Sequence, residues 1–236
     1  MIMAEDASTL AGASVFISVP CMDGKPALQM TMSLDAVKVG AARAGVSVHV
    51  HWECQESFIQ RARNNAAARF LDDARFRWCT HLMTWDSDIA TDMRGGGVED
   101  NLLLRLLADD KDVVGGLYAC KSKACKCSSV VEAGADAAGD LVEMRWLSAG
   151  CMLVKRGVIM RLADEYPHEE YDGDADMAGA VVHGIYNAFI AKVGERQKLL
   201  SEDWAFCERW RRVGGRLWAD RRIPLAHVGA CEYRLG

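Results

Sequence analysis

Apolar residues come along this chain in short blocks that switch between two periods. Val15-Phe16-Ile17-Ser18-Val19 is a nearly unbroken apolar run stopped by Pro20, which predicts a buried strand feeding the loop Cys21-Met22-Asp23-Gly24-Lys25. Pro26 suits a first helical turn, Met30, Leu34 and Val37 share one helical face, and Gly45 lies beyond its end. Val46-Ser47-Val48-His49-Val50 alternates as a second strand, and Ile59, Ala62, Ala66 and Phe70 form the stripe of a helix from about Ser57 to Phe70. His81-Leu82-Met83-Thr84-Trp85 is a third strand, Gly95-Gly96-Gly97 a loop, and Leu102, Leu103, Leu106 and Leu107 a helix ending near Asp109. A fourth strand runs from Asp112 to about Tyr118. Strands alternating with helices in this way predict an α/β fold with a mostly parallel central sheet flanked by helices.

The second half is less regular. Leu141 to Trp146 and Cys151 to Val154 read as strands, Gly157 to Glu165 as a short helix and Ser201 to Val213 as a longer one. Residues 166 to 184 carry Glu169, Glu170, Asp172, Asp174 and Asp176 among glycines and alanines, which predicts a mobile acidic loop. Asp172-Gly173-Asp174-Ala175-Asp176 has the look of a calcium loop, but the glutamate that closes an EF-hand is missing at the required spacing.

A chain of 236 residues, 50% apolar, is long enough for one substantial core, so a single domain over 1–236 is expected. The net charge of −5 gives no global attraction to nucleic acid or acidic membrane, although the chain from Arg209 onward is rich in arginine. No run approaches the roughly 20 apolar residues of a membrane span, and residues 1 to 14 lack the core of a signal peptide, so a soluble protein is expected. Nine cysteines, an odd number, suit a reducing cytosol. Cys120, Cys125 and Cys127, with Lys121, Lys123 and Lys126 between, are either three ligands of a zinc site or a basic loop with incidental thiols.

The candidate chemistry starts at Asp86-Ser87-Asp88. Two carboxylates in a turn at a strand's carboxyl end can share a hard divalent cation, and that ion can neutralise a nucleotide's diphosphate; a solvated turn or helix cap has the same spelling. Arg63 lies near the edge of its helix's apolar stripe, where it is either turned to a sheet-edge pocket or exposed, and Arg61 points further into solvent. Glu53 and Glu56 read as loop or cap carboxylates. Glu202-Asp203 opens a helix, where the dipole favours acids regardless of function.

The order of Val19-Pro20, Arg63-Asn64, Thr84-Trp85-Asp86-Ser87-Asp88, Ser148-Ala149-Gly150-Cys151-Met152, Ser201-Glu202-Asp203-Trp204 and His227 resembles nucleotide-sugar glycosyltransferases of the GT-A fold. It looks most like their compact bacterial and viral, phage-type members, over about residues 14 to 230. The resemblance implies a nucleotide-binding half (14–118) and a less regular acceptor-side half (119–236). It implies Mn²⁺ or Mg²⁺ at Asp86, Asp88 and His227, with Asp88 the main ligand, His227 completing the shell and Asp86 contacting the donor's ribose or, through water, the ion. It further implies a UDP-sugar whose base is lined by Pro20 and Cys21 with Arg63 and Asn64 nearby, Gly150 close to the transferred sugar, and Lys121 and Lys123 within reach of the diphosphate or merely solvated. An inverting transfer would use Asp203 as general base, with Glu202 orienting the acceptor or taking the base's place. His227 suits a core histidine as well as a ligand.

The implied location is the cytoplasm of a bacterium or an infected host, and the implied acceptor is a glycan hydroxyl. A hydroxylated base of phage DNA is the alternative that the arginines from Arg209 to Arg222 would suit. A nucleotidyltransferase-like enzyme and a non-catalytic sugar- or nucleic-acid-binding module are the rival classes. The acidic stretch from His168 to His183 is expected outside the packed core, as a lid beside the site.

Overall fold

The computed structural model describes residues 10, 12–122, 124, 126–136 and 139–235. Cys125 and Lys123 of the cysteine-rich segment lie outside them. In chain order the elements are β1 (Ser14–Pro20), α1 (Leu28–Arg43), β2 (Ser47–Glu53), α2 (Ile59–Asp72), β3 (His81–Trp85), β4 (Ile89–Thr91), α3 (Leu102–Ala108), β5 (Val113–Gly116), β6 (Val130–Val131), β7 (Leu141–Trp146) and β8 (Cys151–Lys155). There follow α4 (Arg156–Glu165), β9 (Glu170–Asp172), β10 (Val181–His183), β11 (Phe189–Val193), β12 (Arg196–Leu200), α5 (Glu202–Arg212), β13 (Leu217–Asp220), β14 (Leu225–Val228) and β15 (Glu232–Tyr233).

An eight-stranded sheet in the order β2-β1-β3-β8-β5-β13-β7-β6 forms the middle layer. Val15, Ile17 and Val19 of β1 enter one core with Met83 and Trp85, while Phe16 enters the other with Leu82. Helices α1 and α3 cover the first core through Met30, Leu34, Val37 and Leu102–Leu107; α2, α4 and α5 cover the second through Phe70, Ile159 and Phe206. Burial on both faces is why the central strands read as continuous apolar runs instead of alternating ones. Ile59 departs from the expected stripe and is 40% exposed, whereas α2 is buried without a break from Ala62 to Phe70 because hairpin and helix close on its far side.

The strands of the first half do not lie side by side. β1 pairs in parallel with β2 and β3, but β8 inserts antiparallel between β3 and β5, so the expected unbroken parallel run ends at β3. Following the pairings across the sheet, β8 and β7 oppose the other six strands, which leaves a mostly parallel mixed sheet. The slot exists because α3 delivers β5 one strand away from β3, and β8 satisfies both open edges with backbone hydrogen bonds.

Residues 166 to 184 correct the expectation of an unstructured acidic loop. β9 and β10 pair as an antiparallel hairpin, and Met177 and Val182 are buried against Ala68 of α2. Three carboxylates are neutralised in place: Asp176 by Arg69, Asp174 by Arg61 at 3.4 Å and Glu169 by Arg209 at 2.6 Å. A second hairpin, β11–β12, was not legible in the sequence. Among the described residues no helix is long and apolar enough to cross a membrane.

Candidate active site

The turn after β3 is pinned from three directions by main chain. The Asp86 N–H donates to Gly150 O at 2.9 Å, Ala27 N–H donates to Ser87 O at 2.8 Å, and Val228 N–H donates to Asp88 O at 2.7 Å. The last of these follows from the small sheet in which β14 pairs antiparallel with β4, setting His227 opposite Ile89. Residues from the beginning, middle and end of the chain therefore hold two carboxylates whose side chains leave the turn in different directions.

Asp86 faces Arg63. That guanidinium is 3% exposed and donates to Asp86 Oδ1 at 3.0 Å, to Ala149 O at 3.1 Å and, through Nε, to Glu202 Oε1 at 3.4 Å. Burial works against its charge, but the carboxylates of Asp86 and Glu202 outweigh burial and drive its pKa upward. Arg63 is thus the buried hub of the site, not an exposed helix charge. Glu202, in turn, has its pKa raised, first by burial and then by the neighbouring Asp203, against the pull of Arg63. Gly150 donates its N–H to the Tyr118 hydroxyl at 3.0 Å, and a Cβ on Gly150 would stand 2.8 Å from Asp86 Oδ2. The space a side chain would take is filled by Tyr118 and Asp86, which is why a glycine is required there.

Asp88 faces the other way. Lys121 Nζ lies 2.5 Å from Oδ2 and His227 Nε2 lies 3.5 Å from Oδ1. Burial raises the Asp88 pKa, yet the hydrogen bonds and charges of His227 and Lys121 prevail and lower it. His227 Nδ1 donates to Ala119 O at 2.9 Å, so the lone pair of the neutral ring is on Nε2 and points at a carboxylate oxygen. Two acceptors facing each other need a proton or a cation between them, and a histidine fixed through its far nitrogen is the usual metal-binding arrangement. Asp88 and His227 accordingly fit Mn²⁺ or Mg²⁺, with a hard oxygen and a neutral nitrogen. Asp86, expected on the ribose or on the ion through water, has its Oδ1 on Arg63, and among the described residues no three His, Cys, Asp or Glu side chains stand together as a metal cage.

At the start of α5, Asp203 Oδ1 accepts from the Trp204 N–H at 2.8 Å and from the Ser201 hydroxyl, which orients the carboxylate at the helix entrance. Glu202 is the residue that meets Arg63. The Asn64 side chain is taken up by the fold: its amide donates to Asn187 Oδ1 at 2.9 Å and Tyr171 Oη at 3.2 Å, and its Oδ1 accepts from Tyr186 N–H at 2.8 Å, which ties α2 to β9 and to the loop at Tyr186-Asn187. Cys21 is buried, with its N–H on Glu53 O at 2.9 Å. Beside it a cavity of about 560 Å³ opens among the end of β2 (Trp52, Glu53), the loop after it (Gln55, Glu56) and α2 (Arg61, Asn65), with Asp174 and Asp176 of the acidic segment completing the lining, and Pro20 and Cys21 do not line it. Glu53 itself is buried between His51 at 3.2 Å and Arg69 at 3.6 Å, and Glu56 caps α2 through the Phe58 N–H at 2.8 Å.

Tyr118 escaped the sequence reading. Its ring edge meets His227 at 5.5 Å while its hydroxyl holds Gly150, so it links the two halves of the site, and a tyrosine at a strand end carries no signal of that role. The arginines of the C-terminal region behave differently from a polyanion-binding surface. Arg209 is buried on Glu169, Arg211 pairs with Glu132, Arg216 with Glu143, and Arg222 with Asp220 and Asp109.

No protein-family model matches the sequence, and no curated protein matches it significantly. Among solved structures the chain is similar to A197 from STIV, at 15% identity over 92% of this chain and 86% of that one, with a TM-score of 0.53. That likeness is one of fold, a mixed α/β architecture built on a large, mostly parallel sheet.

Proposed function

We propose that the chain is a glycosyltransferase of the GT-A type, moving a sugar from a nucleoside diphosphate, which the sequence resemblance makes UDP, to a hydroxyl acceptor. The observation that carries this reading is the meeting of Asp88 with His227, residues 139 positions apart, at the carboxyl end of the sheet, with the Glu202-Asp203 helix entrance across Arg63 from them. Open α/β sheets bind ligands at that end. Asp88 and His227 would hold the cation, which when bound supplies positive charge to the departing diphosphate. Lys121 adds a second positive charge at the same place. Arg63 keeps Asp86 and Glu202 in fixed positions, and an Asp86 carboxylate oxygen is available to a ribose hydroxyl as acceptor.

Asp203 is the base in this reading. Its Oδ1 is anchored, which leaves Oδ2 to take the proton of the acceptor hydroxyl while that oxygen bonds to the anomeric carbon. The bond from that carbon to the diphosphate oxygen breaks on the opposite face, the electron pair leaves with the diphosphate, and the configuration inverts. The cavity after β2 suits the nucleoside base. A glycan is favoured over duplex DNA as acceptor, because the C-terminal arginines are matched by internal carboxylates and offer little to phosphates.

Incubation with a panel of nucleotide sugars and Mn²⁺ tests the class. Release of nucleoside diphosphate from one of them, lost on adding excess chelator, is expected. Release of pyrophosphate from a nucleoside triphosphate and a sugar phosphate would instead make it a nucleotidyltransferase, and no turnover with any donor would leave a binding module.

A further inference from the structure

The hairpin that leads into the Glu202-Asp203 helix has one face that nothing in the fold uses. Its inner face is anchored: Phe189 packs under the guanidinium of Arg209 at 4.7 Å, Leu200 is fully buried, and the Lys198 ammonium lies 4.2 Å from the ring centre of Trp204. On the outer face Ile190 and Leu199 are directly paired across the strands, and they are 68% and 66% exposed. Lys192 stands beside them on the same face, opposite Gln197, and Arg196 follows the Gly194-Glu195 tip.

Charge separates this hairpin from the rest of the acceptor-side half. The arginines of α5 and the segment after it are consumed by internal ion pairs, but among the described residues Lys192, Arg196 and Lys198 make none. With Glu195 as its one acid, the segment 189–200 carries three positive charges and one negative, a net of +2 in a chain of −5. We infer that the β11–β12 hairpin is a docking surface for an anionic phospholipid bilayer, with Ile190 and Leu199 entering the headgroup layer and Lys192 beside them and Arg196 at the tip meeting lipid phosphates, while Lys198 stays on the inner face over Trp204. Two aliphatic side chains are far short of the roughly 800 Å² per partner that a stable protein interface buries. An apolar pair with free cations beside it is, however, what a weak and reversible membrane contact needs, since neither term suffices alone. Because only Ser201 separates β12 from Glu202, docking would hold the candidate acceptor site at the membrane surface. That consequence rests on the proposed function, whereas the docking itself does not.

Co-sedimentation of the intact chain with phosphatidylcholine vesicles, with and without phosphatidylglycerol, tests the docking independently of any transfer chemistry. Binding to the anionic vesicles only, weakened by added salt, is expected. Lys192→Glu with Arg196→Glu should lower the partition about tenfold or more, and Ile190→Ser with Leu199→Ser should abolish it, both with unchanged circular dichroism and melting temperature. Equal partition onto neutral vesicles, wild-type partition by the serine variant, or no partition at all would overturn the inference. So would a vesicle-free dimer that the serine variant disperses, which would make the hairpin a contact between copies of the chain.

Discussion

Asp86 and Asp88 leave the same turn for opposite surroundings. Asp86 enters a knot in which one buried guanidinium serves two partly exposed carboxylates and a backbone carbonyl. Asp88 enters a half-exposed trio with an ammonium and an imidazole whose distances are set by side chains free to move. The difference teaches which half carries stability and which carries chemistry. Charges removed from water must keep their partners or the fold suffers, whereas charges left at the surface can exchange partners for a ligand at little cost.

The largest effect that would break this comparison is on turnover. Asp88→Ala is expected to lower transfer by about 10³-fold or more, the scale of losing electrostatic stabilisation of a leaving charge, with stability changed by less than about 1 kcal/mol. Steady-state rates and urea unfolding on one preparation decide it, and an unfolded Asp88→Ala protein would reverse the assignment of roles. Next, Arg63→Ala is expected to destabilise the fold by about 3–5 kcal/mol, since it strands Asp86 and Glu202 without their buried partner. A urea midpoint equal to that of the native chain would show the knot to be solvated.

A finer test separates base from cap at the entrance of α5. Asp203→Asn retains an oxygen that can accept from Ser201 and Trp204, so stability and UDP affinity should hold while turnover falls about 10²-fold. Lost stability with intact turnover would make Asp203 only a cap and Glu202 the base. The smallest effect uses a second buried cluster as a control. Asp109, packed with Asp220, Arg105 and Arg222, has its carboxyl pushed up to about 7, first by burial and then by Asp220. A carboxyl with a folded value above its ordinary 3.8 contributes most below pH 4, and that contribution fades as pH rises through 7. The native chain should therefore lose a few degrees of melting temperature over that window, and Asp109→Asn should flatten the slope. An unchanged slope would show that the cluster does not titrate there.

The sites were legible in the sequence to the extent that local spelling limits them. Asp86, Asp88 and His227 stood out as residue types in a motif order, and the fold brings Asp88 and His227 together. Arg63 was visible as a polar residue near an apolar stripe, but its burial was not, because what covers it comes from residues up to 139 positions away. The structural role of Asn64 was not visible, since an asparagine that cross-links strand β9 and the loop at Tyr186-Asn187 has the same spelling as one that binds a ligand. The acidic stretch was misread as unpacked because its two buried side chains, Met177 and Val182, are too few to form a period.

The sequence by itself determined the alternation of strands and helices and the end of the sheet at which acids gather. Both follow from which side chains are buried at periods of two and 3.6, a property each segment carries alone. Tertiary structure alone decided the insertion of β8 between β3 and β5, the approach of His227 to Asp88, the neutralisation of the C-terminal arginines and the free outer face of the β11–β12 hairpin. These are choices of partner, and periodicity specifies that a face is covered without specifying what covers it.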